Sequence, residues 1–229
     1  MFGRFLRYSK IIFGNDRRYK NLINLDFKYN VKNNLYYIHD YNSKSTDEIF
    51  YKEDKATQYL LRLKNGDIDV AKNYSELIAR FISNSVPDNR DYVLLGVPSS
   101  DKDKKSCMKL CIEIIENNPE MISNKSIHIL SGEHELIRIK SIPKAHKVSF
   151  KERPSIKENI ESLCYRSKAE NRVDNTQVIA VLIDDIATTC TSINACEKLL
   201  ITSGFKEKNI LRLVMGYTVY KKKLKILKW

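Results

Sequence analysis

The chain predicts an α/β fold, a central parallel sheet with helices on both faces, together with a small N-terminal appendage or hood. Apolar runs alternate with amphipathic helical patterns, and the runs at residues 92–97 and 178–183 each end in a polar turn that leads into a helix. The 42% of hydrophobic residues among 229 are enough to bury one substantial core. In such sheets ligands gather outside the carboxyl ends of the strands, so the loops after the apolar runs are where function is expected.

Residues 1–45 are rich in aromatics and asparagine, and the alternation in Leu35-Tyr36-Tyr37-Ile38-His39 predicts short strands within an irregular or β-ribbon appendage spanning residues 1–50. Ile68, Val70, Ala71, Tyr74, Leu77, Ile78, Phe81 and Ile82 then recur at three- and four-residue steps, which predicts an amphipathic helix ending near Pro87. The run from Tyr92 to Val97 reads as a buried strand stopped by Pro98. A polar turn over residues 99–105 feeds a second helical pattern through Met108, Cys111, Ile112 and Ile115. Cys107 and Cys111 stand four apart on that helix and are expected in or near the core.

A short strand is expected at residues 126–130, followed by a basic stretch from Arg138 to Arg153 whose weak periodicity, with Pro143 inside it and Pro154 just after it, predicts a mobile loop. Val178-Ile179-Ala180-Val181-Leu182-Ile183 is the longest buried strand candidate. After Asp184-Asp185 comes a helix over residues 192–202 that Gly204 should close, and then a strand at 210–215. With no internal repeat and no low-complexity linker, the α/β domain is placed at residues 51–220 and a basic tail at 221–229.

The formal charge is +12, and it is unevenly distributed. Residues 1–20 carry +5, residues 137–172 carry +6 and residues 217–229 carry +5, which leaves −4 for the rest of the chain. Basic segments around a mildly acidic body point to an anionic partner, either nucleic acid or a polyphosphate. No stretch approaches the roughly 18 apolar residues of a membrane span, so no membrane partner is expected. Charges break up the N-terminus before any long apolar run, so no secretory signal is expected. Five cysteines without a Cys-x-x-Cys pair indicate a cytoplasmic location and no structural zinc.

The segment with chemical content is Val181-Leu182-Ile183-Asp184-Asp185-Ile186-Ala187-Thr188-Thr189-Cys190-Thr191-Ser192. A buried strand delivers two adjacent carboxylates to its end, and a hydroxyl-rich turn then enters a helix. Such carboxylates can accept hydrogen bonds from vicinal sugar hydroxyls and help hold a hydrated divalent cation. The helix start offers unpaired N–H groups and a positive dipole end to a phosphate.

This segment resembles the diphosphate-sugar signature of the type I phosphoribosyltransferases, an apolar strand, two acids, two variable residues and then Thr-Thr-Gly-x-Ser/Thr. The match runs over twelve residues with one departure. The resemblance implies 5-phosphoribosyl-1-diphosphate as substrate and Mg2+ as cofactor. Asp184 and Asp185 would bind the ribose hydroxyls and, through them or through water, the metal. Thr188, Thr189, Cys190, Thr191 and Ser192 would cradle the 5′-phosphate. It also implies a second loop that grips the diphosphate, for which Ser99, Ser100, Asp101 and Lys102 stand in the matching place after Val97-Pro98. Within the family the chain is most similar to the competence-associated (ComF-like) branch, through Leu63-Lys64-x-Gly66 and the Val-Pro pair. The likeness covers roughly residues 55–216, and the zinc-binding cysteines common in that branch are absent.

Under that resemblance the reaction is displacement of diphosphate from C1 of the sugar by a nitrogen acceptor that the sequence does not identify. Charge builds on the leaving diphosphate, and Lys102, Lys147 and Arg153 are the candidate catalytic cations, with Lys144, Lys151 and His146 as further contacts. Two departures stand out. Cys190 occupies the family's glycine, where a positive φ would cost a β-carbon about 1 kcal/mol or more. Thr188 stands where purine-salvage members carry an Asp. A helix N-terminus can lower a thiol's pKa, which would give Cys190 a redox role, but a small residue filling a loop is the simpler expectation. The expectation is therefore an enzyme, with a catalytically weak or inactive sensor as alternative and a nucleic-acid-associated protein using the basic termini as a less favoured one. A homodimer is compatible with such a fold.

Overall fold

The computed structural model describes residues 27–44, 48–87, 90–122, 134–144, 148–149, 152–167 and 174–218. In chain order these form β1 (Lys28–Asn30), β2 (Leu35–Tyr41), α1 (Glu48–Glu53), α2 (Lys55–Lys64), α3 (Ile68–Ser85), β3 (Tyr92–Gly96), α4 (Cys107–Asn117), β4 (His134–Arg138), α5 (Ile156–Glu161), β5 (Leu163–Ser167), β6 (Ile179–Ala187), α6 (Thr191–Thr202) and β7 (Ile210–Thr218). The central sheet has five strands in the order β1-β2-β7-β6-β3. β2, β7, β6 and β3 run parallel, and β1 adds an antiparallel edge. β4 and β5 form a separate antiparallel pair.

The apolar run of β6 is uninterrupted because both of its faces are covered, and its alternation decides which residue meets which layer. Ile179, Val181 and Ile183 pack with Leu60 and Leu63 of α2, Leu77 and Ile78 of α3, and Met108 of α4. Ala180 and Leu182 pack on the opposite side with Leu136, Leu163, and Ile193 and Leu200 of α6. β3 follows the same division, with Tyr92 and Leu94 in the first layer and Val93 and Leu95 in the second. A one-residue slip of either strand would exchange the two layers, so the register is strongly specified.

Local chemistry sets the helix ends. The side chains of Asp54, Asp67 and Ser106 accept backbone N–H bonds at the starts of α2, α3 and α4. α6 closes as expected at Gly204, where the Gly204 and Phe205 N–H groups donate to the Ile201 and Leu200 carbonyls, both at 3.1 Å. Arg212 of β7, 5% exposed, ties down the same helix through Glu197 at 3.0 Å and through Asn194.

Some expectations need correction. Leu35–Tyr41 does not belong to a hood: it pairs with β7 over Tyr36↔Leu213 to Tyr41↔Thr218 and is part of the central sheet. Its alternation reflects a strand near the sheet margin, and nothing local reveals a partner so far along the chain. Arg138 ends β4 rather than opening a loop. Residues 1–26, the strand expected at 126–130 and the tail at 221–229 lie outside the described residues. Among the described residues, no helix is long and apolar enough to cross a membrane.

Candidate functional site

The site is built where β6 outlasts its neighbour. Pairing with β3 stops at Gly96↔Ile183, followed by one more bond from the Val97 N–H to the Ile183 carbonyl at 2.8 Å. Pairing with β7 continues to Ala187↔Tyr217. Asp184 and Asp185 are therefore strand residues, not loop residues, and the chain leaving β3 turns away beside them.

Successive strand residues face opposite sides, and the two carboxylates have different neighbours. Asp185 turns to α2 and α4, where its Oδ2 lies 3.3 Å from Lys64 Nζ and 3.4 Å from Cys107 Sγ. Its Oδ1 accepts the Ile186 N–H at 2.6 Å. Asp184 Oδ1 accepts the Asp185 N–H at 2.9 Å. Burial, and then the adjacent Asp185 charge, push the Asp184 carboxyl well above the usual carboxylate range, against the pull of that backbone bond, Lys64 and Arg138. For Lys64, burial opposes the charged form, but Asp185 and Asp184 together raise its pKa. Two cations thus offset the two acids, one from each face of the sheet.

Beyond the acids, Thr188 is partly buried and Thr189 is exposed, its Oγ1 2.9 Å from Thr191 Oγ1. Ser192, in the first turn of α6, is partly buried. Cys190 is the residue preceding α6 and sits at φ 58°, ψ 11°, in the left-handed region, without a side-chain bond to the helix start. Its carbonyl accepts the Asn194 N–H at 2.9 Å, and its thiol is buried in the layer under α6. Burial raises the thiol's pKa, helped by Asp184 and opposed by Arg212. The lowered pKa anticipated from the helix start is therefore not realised, because burial outweighs the pull of Arg212.

The loop after β3 is tied at several points. Arg138, 7% exposed, donates from Nε to the Ser99 carbonyl at 2.9 Å and from Nη1 to Ser162 Oγ. The Lys102 N–H donates to Ser141 Oγ at 3.0 Å, and the Ile142 N–H donates to the Ser100 carbonyl at 2.9 Å. Asp101 Oδ1 accepts the Asp103 N–H at 3.2 Å, which tightens the turn. The root of the basic segment is therefore fastened to the loop that the sequence singled out. On the far side of this loop a cleft of about 340 Å³ lies between α4 and β4, lined among others by Ser99, Lys102, Lys109, Glu135 and Arg138. It shares the loop with the acidic edge, but residues 184–192 do not line it.

The structure thus brings Asp184, Asp185, Thr188, Thr189, Cys190, Thr191 and Ser192 together at the edge of the sheet where β3 releases Ser99, Ser100, Asp101 and Lys102. The Lys102 side chain is exposed, and Lys144 and Arg153 are partly buried. Lys147, His146 and Lys151 lie outside the described residues. Sequence reasoning missed three contributors, namely Arg138 as a loop anchor, Cys107 as a donor to Asp185, and the pairing of Lys64 with Asp185. Lys64 had a signal in the Leu63-Lys64-x-Gly66 motif, and Arg138 was visible only as one of the ten Lys/Arg residues between 137 and 172. Compared with known protein families and with curated proteins, the chain matches none.

Proposed function

We propose that the chain binds 5-phosphoribosyl-1-diphosphate at this edge of the sheet and transfers its phosphoribosyl group to a nitrogen acceptor with release of diphosphate. The observation that carries this is the convergence, on one parallel-sheet edge, of an acidic pair, a hydroxyl-rich helix start without a side-chain cap, and a second loop anchored by a buried arginine. Each part matches one part of the sugar diphosphate: carboxylate for ribose hydroxyls, N–H and hydroxyl groups for the 5′-phosphate, and the Ser99 and Ser100 hydroxyls with the Lys102 ammonium for the diphosphate.

Among the described residues, no group of three or more His, Cys, Asp or Glu could hold a metal ion. Magnesium retains several waters and is commonly held by one or two carboxylates plus substrate phosphates, so Asp184 and Asp185 fit a metal that arrives with the diphosphate. Bound there, it would offset the negative charge of the leaving group. The chain's own part is to fix the ribose, to hold the 5′-phosphate against the α6 dipole and to present Lys102 beside the leaving diphosphate. The nitrogen forms its bond to C1 as the C1–O bond breaks, and it then loses its proton.

The second reading, a sensor that keeps the pocket with little turnover, is favoured by the β-carbon of Cys190 at a left-handed position in the phosphate turn. Diphosphate release in the presence of magnesium and a panel of bases and amines separates the two. Release above the rate of spontaneous hydrolysis supports the enzyme, and binding without release supports the sensor. Replacing both acids, Asp184→Asn with Asp185→Asn, should abolish binding while the far-ultraviolet circular dichroism stays unchanged. Unaltered affinity in that variant would contradict the proposal.

A further inference from the structure

The two acids differ in how fully the protein already uses them. Both oxygens of Asp185 are engaged, Oδ2 by Lys64 and Cys107 and Oδ1 by the Ile186 N–H. Lys64 reaches it from the last residue of α2, at a point that the following turn fixes. Gly66 takes φ +82°, and the Gly66 and Asp67 N–H groups close the helix onto the Leu63 and Arg62 carbonyls at 2.9 and 3.1 Å. Asp67 then caps α3 and pairs with Arg62 at 2.7 Å, so α2 has no freedom to run on.

Resting on the sugar-diphosphate reading, we infer that Lys64 is a positioning residue which, by holding Asp185 against α2 and α4, divides the acidic pair into an anchored carboxylate and a ligand-facing one, Asp184. The division has a physical reason. Two adjacent carboxylates in a partly buried strand repel each other, and a cation bound to one lets the other meet a neutral diol without a full second charge beside it. The Lys64 side chain is 39% exposed and that of Asp185 21%, so the acid is half-buried while the lysine end of the pair stays open to solvent. Cys107 supplies the second donor to the same oxygen.

The test is calorimetric titration of the full chain and its variants with 5-phosphoribosyl-1-diphosphate and magnesium, with thermal unfolding followed in parallel. Lys64→Met should weaken binding by about tenfold or more, whereas Lys64→Arg, which keeps the charge, should recover most of it. Adding Asp185→Asn to Lys64→Met should cost little beyond either change alone, since both remove one ion pair. Full affinity in Lys64→Met, or strictly additive losses in the double variant, overturns the assignment of Lys64 alone. No binding by the unaltered chain overturns it together with the reading on which it rests. If Lys64→Met unfolds, Lys64→Gln against Lys64→Arg gives the same comparison, because only the arginine can restore the pair.

Discussion

At the scale of single residues, Cys190 is the most informative position. A left-handed backbone costs an ordinary L-residue roughly 1–2 kcal/mol, and here the residue also buries its thiol against the layer under α6. Replacement by glycine removes the strain but also the packing and some unfolded-state restriction, so Cys190→Gly should leave stability within about 1 kcal/mol. Cys190→Val should cost more than about 2 kcal/mol, since a β-branched side chain fits the left-handed region worst. Urea unfolding of the two variants checks this, and equal stabilities would show that the backbone relaxes out of the left-handed region at little cost. If the turn holds a phosphate, the glycine variant should also bind the sugar diphosphate at least as tightly as the cysteine form, because a β-carbon leaves the cradle.

Among the elements, the position of α2 matters most, since it carries Lys64 to the site. α2 lies close against the sheet at Gly216 of β7, where an added β-carbon would meet Leu60 Cδ1 at 2.7 Å and Tyr41 Cβ at 3.2 Å. Leu60 is one helical turn before Lys64, so whatever displaces the first displaces the second. Gly216→Ala should therefore destabilise the chain by about 1–3 kcal/mol, the usual range for overpacking. It should also weaken ligand binding although residue 216 itself faces α2. Unchanged stability, measured by denaturant unfolding, would mean that α2 tolerates displacement and that its contact with the sheet does not set the place of Lys64. The β4–β5 pair is coupled to the site in a similar way, because Arg138 and Ser141 fasten its outgoing segment to the loop after β3.

For the molecule as a whole, one buried histidine predicts a response to acid. His39, 4% exposed on β2 and edge-on to Tyr74 at 5.9 Å, has its pKa lowered to about 4, chiefly by burial, with Lys28 adding to the lowering and Asp54 and Asp40 opposing it. The unfolded chain takes up this proton near pH 6.5 and the folded chain only near 4, so stability falls as the pH is lowered through that window. The loss from this residue is about 3 kcal/mol in total, and His39→Gln should remove it from the pH profile. Asp184 acts in the opposite sense, because its raised pKa makes the folded state the better proton binder. If the profiles of the parent and His39→Gln chains coincide between pH 4 and 6.5, His39 is not neutral in the fold.

Much of this architecture was legible along the chain, and for definite reasons. The six apolar residues before Asp184, the helical spacing from Ile68 to Ile82, and Gly204 after the last helix are local patterns, and local patterns determine β6, α3 and the end of α6. The place of Leu35–Tyr41 was not legible, since its parallel partner is a strand at the other end of the chain. The conformation of Cys190 was legible only as an alternative, since the residue type permits either conformation and the turn decides between them. The link from Lys64 to Asp185 joins residues far apart in sequence, and no periodicity reports such a pair.

The central claim concerns a ligand, so binding tests it most directly. Calorimetric titration of the intact chain with 5-phosphoribosyl-1-diphosphate and magnesium should show saturable binding at one site, lost when Asp184 and Asp185 are both asparagine. A folded chain that gives no binding signal with ligand at about 1 mM, where even an affinity near −4 kcal/mol would register, would contradict the account.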